Sequence, residues 1–173
     1  MRFELRTTED GSLTVFDREA GECFKSRHAA RLEAEYVFYR PGVLESPRYA
    51  TKKGAEAGAF TVLELGFGLG TNFLHFLSRG YRGLFVSIER DLSGARFFLE
   101  HAPDSALSAL LETGTFTGGD MRAALRRGDF FEELRALAKE GFLADAVLFD
   151  PFSPKANPEA WTSELFKIGR AHV

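Results

Sequence analysis

The sequence predicts an α/β domain on a mostly parallel sheet, preceded by a small β-rich and helical N-terminal module. Three observations predict it. From Phe60 onward, short apolar runs of strand length alternate with segments of helical spacing, the order that builds βαβ units. Three glycines, Gly66, Gly68 and Gly70, lie directly between the first apolar run and the first helix. A length of 173 residues, 45% of them apolar and 27% charged, suits one core with a polar surface.

Composition excludes several classes. The longest apolar runs, such as Ala146-Val147-Leu148-Phe149, are far too short to cross a membrane. Met1 is followed by Arg2-Phe3-Glu4-Leu5-Arg6, so no secretory signal is visible. One cysteine, Cys23, excludes an internal disulfide framework and a multi-cysteine zinc site. A reduced, cytoplasmic setting without a metal centre is expected. The net charge of -3, from 22 basic and 25 acidic residues, confines any nucleic-acid contact to a local patch. The 18 phenylalanines point to a Phe-rich core.

The first 58 residues read as a module of their own. Arg2 to Thr7, Ser12 to Phe16 and Glu22 to Phe24 are extended runs separated by Glu9-Asp10-Gly11 and Asp17 to Gly21, a small antiparallel meander. His28 to Phe38 has helical spacing and is expected to end at Pro41-Gly42. Ser46 to Ala59, with Pro47, Gly54 and Gly58, reads as a loop.

Residues 59–166 carry the main sheet. Phe60 to Leu65 is the first strand, Thr71 to Ser78 a helix, Leu84 to Ile88 the second strand. Ser93 to Ala102 and Ala106 to Glu112 are helices, and Thr115 to Thr117 is a weak third strand. Arg122 to Arg127 and Phe130 to Glu140 have helical composition; Ala144 to Phe149 is the fourth and strongest strand. Asn157, Pro158 and Glu159 suit the start of a last helix. Lys167 to Val173 is expected to break that helix; this heptapeptide resembles a translated sequencing adapter and reads as a non-native tail.

The loop Glu64-Leu65-Gly66-Phe67-Gly68-Leu69-Gly70-Thr71-Asn72 lets the backbone turn sharply and approach a ligand. Its G-x-G-x-G spacing departs from the dinucleotide fingerprint G-x-G-x-x-G. Glu89 follows Gly70 by 19 residues, at the end of the second strand, where a carboxylate takes both hydroxyls of a ribose. Ribose without pyrophosphate indicates S-adenosylmethionine rather than NAD. Asp120, in Gly119-Asp120, reads either as acceptor for an adenine amino group or as a helix N-cap.

Asp150-Pro151-Phe152-Ser153-Pro154-Lys155-Ala156-Asn157-Pro158 follows the fourth strand, where a second substrate would meet the cofactor. Its three prolines stiffen the loop. Phe152 and Trp161 are candidates to stack on a base, Trp161 equally to pack on the core. Lys155, Lys52, Lys53, Arg126 and Arg127 are candidates for phosphate contacts, or plain surface charges. Lys25, Arg27, His28 and Arg31 form the densest basic cluster.

The glycine loop, Ser87-Ile88-Glu89, Gly119-Asp120 and above all Asp150 to Thr162 resemble the methyltransferase domain of tRNA 5-methylaminomethyl-2-thiouridine biosynthesis. Phe24-Lys25-Ser26 and Glu35-Tyr36-Val37-Phe38 resemble that family's N-terminal region, so the likeness covers about residues 13 to 166. It implies a Rossmann-like class I methyltransferase. Glu64, Gly66, Gly68, Gly70, Asn72, Glu89 and Asp120 would hold S-adenosylmethionine. Asp150 would sit at the reacting amine, and Phe152, Lys155 and Trp161 would meet the substrate. The reaction implied is methylation of the aminomethyl group of a tRNA wobble uridine. The partner is then tRNA, with a separate flavin-dependent oxidoreductase left open as the source of the amine. Asp-Pro-Phe-Ser also resembles the Asp-Pro-Pro-Tyr loop of amino methyltransferases acting on adenine or glutamine, but the Asn157 to Trp161 continuation speaks against them. Family domains continue through three more strands, so the chain is expected to be C-terminally truncated. Its fourth strand would then form an exposed apolar edge, and a non-catalytic fragment is the remaining alternative.

Overall fold

The computed structural model describes residues 1–52 and 60–170. The expected meander forms: β1 (Phe3–Thr7), β2 (Leu13–Asp17) and β3 (Glu22–Cys23) make an antiparallel three-stranded sheet in that order. Arg2 fastens it to the rest of the molecule. Its guanidinium pairs with the buried Asp17 at 2.7 Å and with Asp91 at 2.8 Å.

The second sheet contains β4 (Thr61–Leu65), β5 (Gly83–Glu89), β6 (Thr115–Gly118), β7 (Met121–Arg127) and β8 (Ala146–Phe149), ordered β6-β7-β5-β4-β8. β7, β5, β4 and β8 are parallel, and β6 is antiparallel to β7. The helices are α1 (Ala30–Glu33), α2 (Pro47–Lys52), α3 (Thr71–Ser78), α4 (Ser93–His101), α5 (Ser105–Thr113), α6 (Phe130–Lys139) and α7 (Ser163–Arg170). The central strands are buried on both faces, which is why they read as continuous apolar runs. Val62 and Phe85 join a Phe-rich core with Phe73 and Phe76; Leu63, Val86 and Ile88 join a second core with Leu134 and Leu165. Each such side chain contributes about 1.5–3 kcal/mol through burial.

The structure corrects the sequence reading in four places. The segment Arg122 to Arg127, expected to be helical, is most of β7. Arg, Ala and Leu favour helices in isolation, but β7 pairs with β5 on one side and β6 on the other, and pairing overrides propensity. Thr115 to Thr117, expected as a third parallel strand, therefore becomes the antiparallel edge strand β6.

The first helix does not end at Pro41-Gly42. α1 runs into a π-helical segment, Ala34–Leu44, with Pro41 inside it. Glu45 N–H reaches the Arg40 carbonyl, five residues back, at 2.9 Å. Gly42 lies against the sheet: a Cβ there would sit 3.1 Å from Leu148.

Part of the Ser46 to Ala59 loop is helix α2. Pro47 occupies its first position, where a missing N–H costs nothing. Tyr49 is buried against Phe60, ring centroids 5.1 Å apart. Residues 53–59 of that stretch lie outside the described residues. Finally, α7 carries the helix through Lys167 to Arg170 instead of breaking there, and residues 171–173 lie outside the described residues. Among the described residues β8 is an edge strand, with Val147 40% exposed. No described helix is long and apolar enough to cross a membrane.

Candidate functional site

From β4 the chain turns first to one side, through β5 and β7, and then returns to the other side as β8. The switch point lies between β4 and β8, and a crevice opens beyond their carboxyl ends. Leu65 and Phe149, the last residues of the two strands, are in register. The residues that follow them, Gly66 and Asp150, are therefore brought side by side. Gly66 has φ +98°, and a Cβ on it would lie 2.6 Å from the Asp150 carbonyl oxygen. Only glycine fits both demands. Asp150 N–H donates to the Leu65 carbonyl at 2.9 Å, and Gly66 N–H to the Ile88 carbonyl at 3.0 Å.

A cavity of about 370 Å³ sits over these strand ends, lined among others by Gly66, Gly68, Glu89, Asp91, Asp150 and Phe152. Glu89 Oε2 accepts from Gly68 N–H at 3.1 Å, and its Oε1 from Asp91 N–H at 3.0 Å. Burial pushes its carboxyl above the ordinary range, although these hydrogen bonds oppose the shift. The meander closes the cavity with Arg2, Asp17, Phe24 and Lys25. Phe24 packs on Phe152, centroids 4.8 Å apart. Glu22 accepts from Ser153 N–H at 3.0 Å and also takes its hydroxyl, which pins the proline-rich loop to β3.

Beneath the cavity lies a network of buried polar groups. Asn72 Nδ2 donates to Glu64 Oε1 at 2.8 Å and to Asp150 Oδ2 at 2.9 Å, while its own Oδ1 has no partner among the described residues. Glu64 Oε2 accepts from Ser87 Oγ at 2.6 Å. Glu64 is fully buried, and burial, reinforced by the Asp150 charge, pushes its pKa up to about 7 against the Ser87 hydrogen bond. Lys25 completes the network. Its side chain is 4% exposed, and its ammonium pairs with Asp150 and, at 3.2 Å, with Glu33. It also stands 4.6 Å from the centre of the Phe38 ring. Burial alone would lower the Lys25 pKa, but Asp150 and Glu33 raise it above the ordinary range. Burial raises the carboxyl of Asp150, and Lys25 pulls against it.

The structure thus gathers Gly66, Gly68, Glu89, Asp150 and Phe152 around one cavity. Glu64 and Asn72 lie below it and do not line it. Gly70 caps α3, where a Cβ would meet Leu107 at 2.7 Å, so its part is close helix packing. Asp120 is not at the site. It sits in the β6–β7 turn, at the amino end of β5: its carbonyl accepts from Gly83 N–H and its carboxylate pairs with Arg82 at 3.0 Å. The misread strand explains the error, because the dipeptide following β7 is Gly128-Asp129. Asp129 caps α6 through Phe131 N–H at 2.8 Å, and Phe130 lines the cavity. Trp161 packs edge-on against Phe149 at 4.9 Å and donates to the Phe152 carbonyl at 2.9 Å, which makes it a brace for the loop. Lys155 is exposed on that loop, and Arg126 is engaged by Glu133 and Glu140. The Lys52 side chain and Lys53 lie outside the described residues. The sequence reading placed Lys25 in a basic cluster and in the family-like Phe24-Lys25-Ser26 segment, without a role at the site; no local signal marks its reach to Asp150. Among the described residues no group of His, Cys, Asp and Glu is arranged to hold a metal ion.

Residues 96–170 match a family profile described as S-adenosyl-L-methionine-dependent methyltransferase. The chain is 30% identical over 168 residues to the tRNA 5-methylaminomethyl-2-thiouridine biosynthesis bifunctional protein MnmC of Methylobacillus flagellatus, covering 84% of this chain and 25% of that protein. It is 35% identical over 160 residues to the protein of the same name from Paraburkholderia phytofirmans, covering 78% and 23%. The chain spans about a quarter of the length of these relatives. Its fold is similar to the crystal structure of MNMC2 from Aquifex aeolicus, with TM-score 0.75, 26% identity and coverage of 99% of this chain and 56% of that one.

Proposed function

The chain belongs to the S-adenosyl-L-methionine-dependent methyltransferases, and on that premise we propose that it methylates the exocyclic amine of 5-aminomethyl-2-thiouridine at the wobble position of tRNA. The observation that carries this reading is the juxtaposition of Gly66 and Asp150 at one switch point, with Glu89 in the same cavity. The cavity fits the donor by volume and by chemistry. Gly66 and Gly68 permit close backbone approach, and each Glu89 oxygen that accepts a backbone N–H keeps a lone pair for a ribose hydroxyl. When bound, the sulfonium supplies an electrophilic methyl group.

The protein's own part is to hold the acceptor. An alkylammonium with a pKa near 10.4 is about 3.4 units from neutrality at pH 7, roughly 4.6 kcal/mol. Asp150 is too weak a base to supply that. It orients the nitrogen and offsets the charge that develops on it, while the proton goes to water. Asn72 fixes the Asp150 carboxylate from below. Phe152, backed by Phe24 and braced by Trp161, offers a ring face to the base. Lys155, exposed on the same loop, is the candidate for a phosphate contact, a local one on a chain whose net charge is negative.

The test is methyl transfer to tRNA carrying the aminomethyl group against tRNA lacking it. Labelling of the first alone is expected, and labelling of neither overturns the reading. Asp150→Ala should lower the rate about 100-fold or more and leave S-adenosylhomocysteine affinity within about threefold. Equal loss of rate and affinity would remove Asp150 from the acceptor side.

A further inference from the structure

Two cavities meet at one wall. The first is the 370 Å³ cavity over Gly66, Gly68 and Glu89. The second, of about 380 Å³, opens between the meander and the proline-rich loop and is flanked by Arg6 and Arg27. Phe24, Lys25, Pro151 and Phe152 line both. A donor in the first cavity and an acceptor in the second would react across this wall, and Lys25 is its only cation.

Resting on the function proposed above, we propose that Lys25 is a positioning residue of the acceptor site, which keeps the incoming nitrogen from being trapped there as an ammonium. The argument starts from the charges that face this point. Asp150 approaches from the loop after β8, Glu33 from α1 and Glu64 from β4, while α3 contributes only the neutral Asn72. The Asp150 and Glu33 carboxylates, joined by Glu64 as it ionises near pH 7, favour the protonated form of an amine, and a protonated amine has no lone pair with which to attack. The ammonium of Lys25 answers this. It engages Asp150 and Glu33 together, and its like charge disfavours a second cation beside it, the device by which one amine lowers the pKa of another.

Lys25 also stays in place when a substrate arrives. Its contacts with Glu33 and the Phe38 ring do not involve Asp150, so Asp150 can take a second partner without releasing it. The proton shed by the acceptor passes to water, and no protein group has to keep it. The bond from Lys25 to Asp150 marks where the nitrogen is received.

Two substitutions in the whole chain test this with opposite signs. Lys25→Met leaves the carboxylates facing the acceptor alone. With S-adenosylhomocysteine present, it should bind tRNA carrying 5-aminomethyl-2-thiouridine about tenfold more tightly than the parent at pH 6.5, with the difference fading towards pH 10. Its methylation rate should fall at pH 7 and recover at high pH, the rising limb moving up by one unit or more. Glu33→Gln removes a carboxylate and should move the same limb down. A Lys25→Met protein that binds this tRNA more weakly, or slows by the same factor at every pH, overturns the proposal. So does a Glu33→Gln limb that moves up or stays still, which decides the matter even if Lys25→Met does not fold. A parent chain that methylates no tRNA at any pH sinks the proposed function itself; an active parent with unmoved limbs sinks only the role of Lys25.

Discussion

The two walls of the crevice are built by different means. The wall made by the turns after β4 and β5 is backbone work: Gly66 N–H to Ile88, Gly68 N–H and Asp91 N–H to Glu89. Its partners lie within two dozen residues of one another, and its shape depends on absent side chains. Opposite it stand Lys25 and Asp150, with Glu33 beside them and Glu64 beneath, groups wholly or partly taken out of water, and the central pair joins residues 125 apart in the chain. The first kind of wall fixes a ligand mainly through shape, its buried carboxylate, Glu89, being held by backbone N–H groups. The second costs desolvation free energy, and in exchange it sets the protonation of whatever enters.

The contrast is sharpest at Gly66. If the backbone wall depends on shape, Gly66→Ala should do the most damage of any single methyl group added to the crevice. The new Cβ meets the Asp150 carbonyl at 2.6 Å, a backbone atom that cannot swing aside, at a φ of +98° that alanine resists. We expect a loss of about 3 kcal/mol in stability and at least a tenfold loss of S-adenosylhomocysteine affinity. Thermal unfolding and calorimetric titration read the two effects. A variant with the parent's stability and affinity would show that the turn is soft and that shape is not what holds it.

The same contrast explains what was legible in the sequence. The Gly66 to Asn72 turn, α3 from Thr71 to Ser78 and Glu89 at the end of β5 could be read because their causes are local: alternating glycines, helical spacing, a carboxylate after an apolar run. β7 was misread because its Arg, Ala and Leu residues carry a helical preference that only the neighbouring strands overrule. That one error carried Asp120 into the site and kept Asp129 out of view. Lys25 was passed over for a related reason. A lysine in a short basic cluster carries no mark of a partner on the far side of the fold, and its burial is decided by how the segment after β3 packs between α1 and the loop after β8.

The charged wall has its own probe in Glu64. Its pKa is about 7 in the folded protein against an ordinary 4.5, because burial penalises the ionised form. The folded state therefore holds this proton more tightly than the unfolded chain does. The stability this provides is fully present below pH 4.5, declines as pH rises through the interval, and is gone above about pH 7, a swing of roughly 3 kcal/mol. Glu64→Gln keeps an oxygen for Asn72 and needs only a turned Ser87 hydroxyl. It should match the parent near pH 4.5 and exceed it increasingly up to pH 8 in thermal unfolding. Equal gains at all pH values would mean that Glu64 carries its charge in the folded protein, held by Lys25 beyond what burial allows.

The smallest expected effect tests the topology that separates the two walls. Asp120 lies at the amino end of β5, and its carboxylate and Arg82 are both about half exposed. An exposed pair of this kind contributes little. Asp120→Asn should change stability by no more than about 0.5 kcal/mol and leave S-adenosylhomocysteine affinity within twofold. The matched change at Asp129 removes the N-cap of α6 beside Phe130 of the cavity, and Asp129→Ala should cost about 1 kcal/mol. If Asp120→Asn weakened the ligand instead, the turn between β6 and β7 would have to reach the carboxyl edge of the sheet. The β5–β7 register, which pairs Gly83 with Met121 and Glu89 with Arg127, forbids that reach.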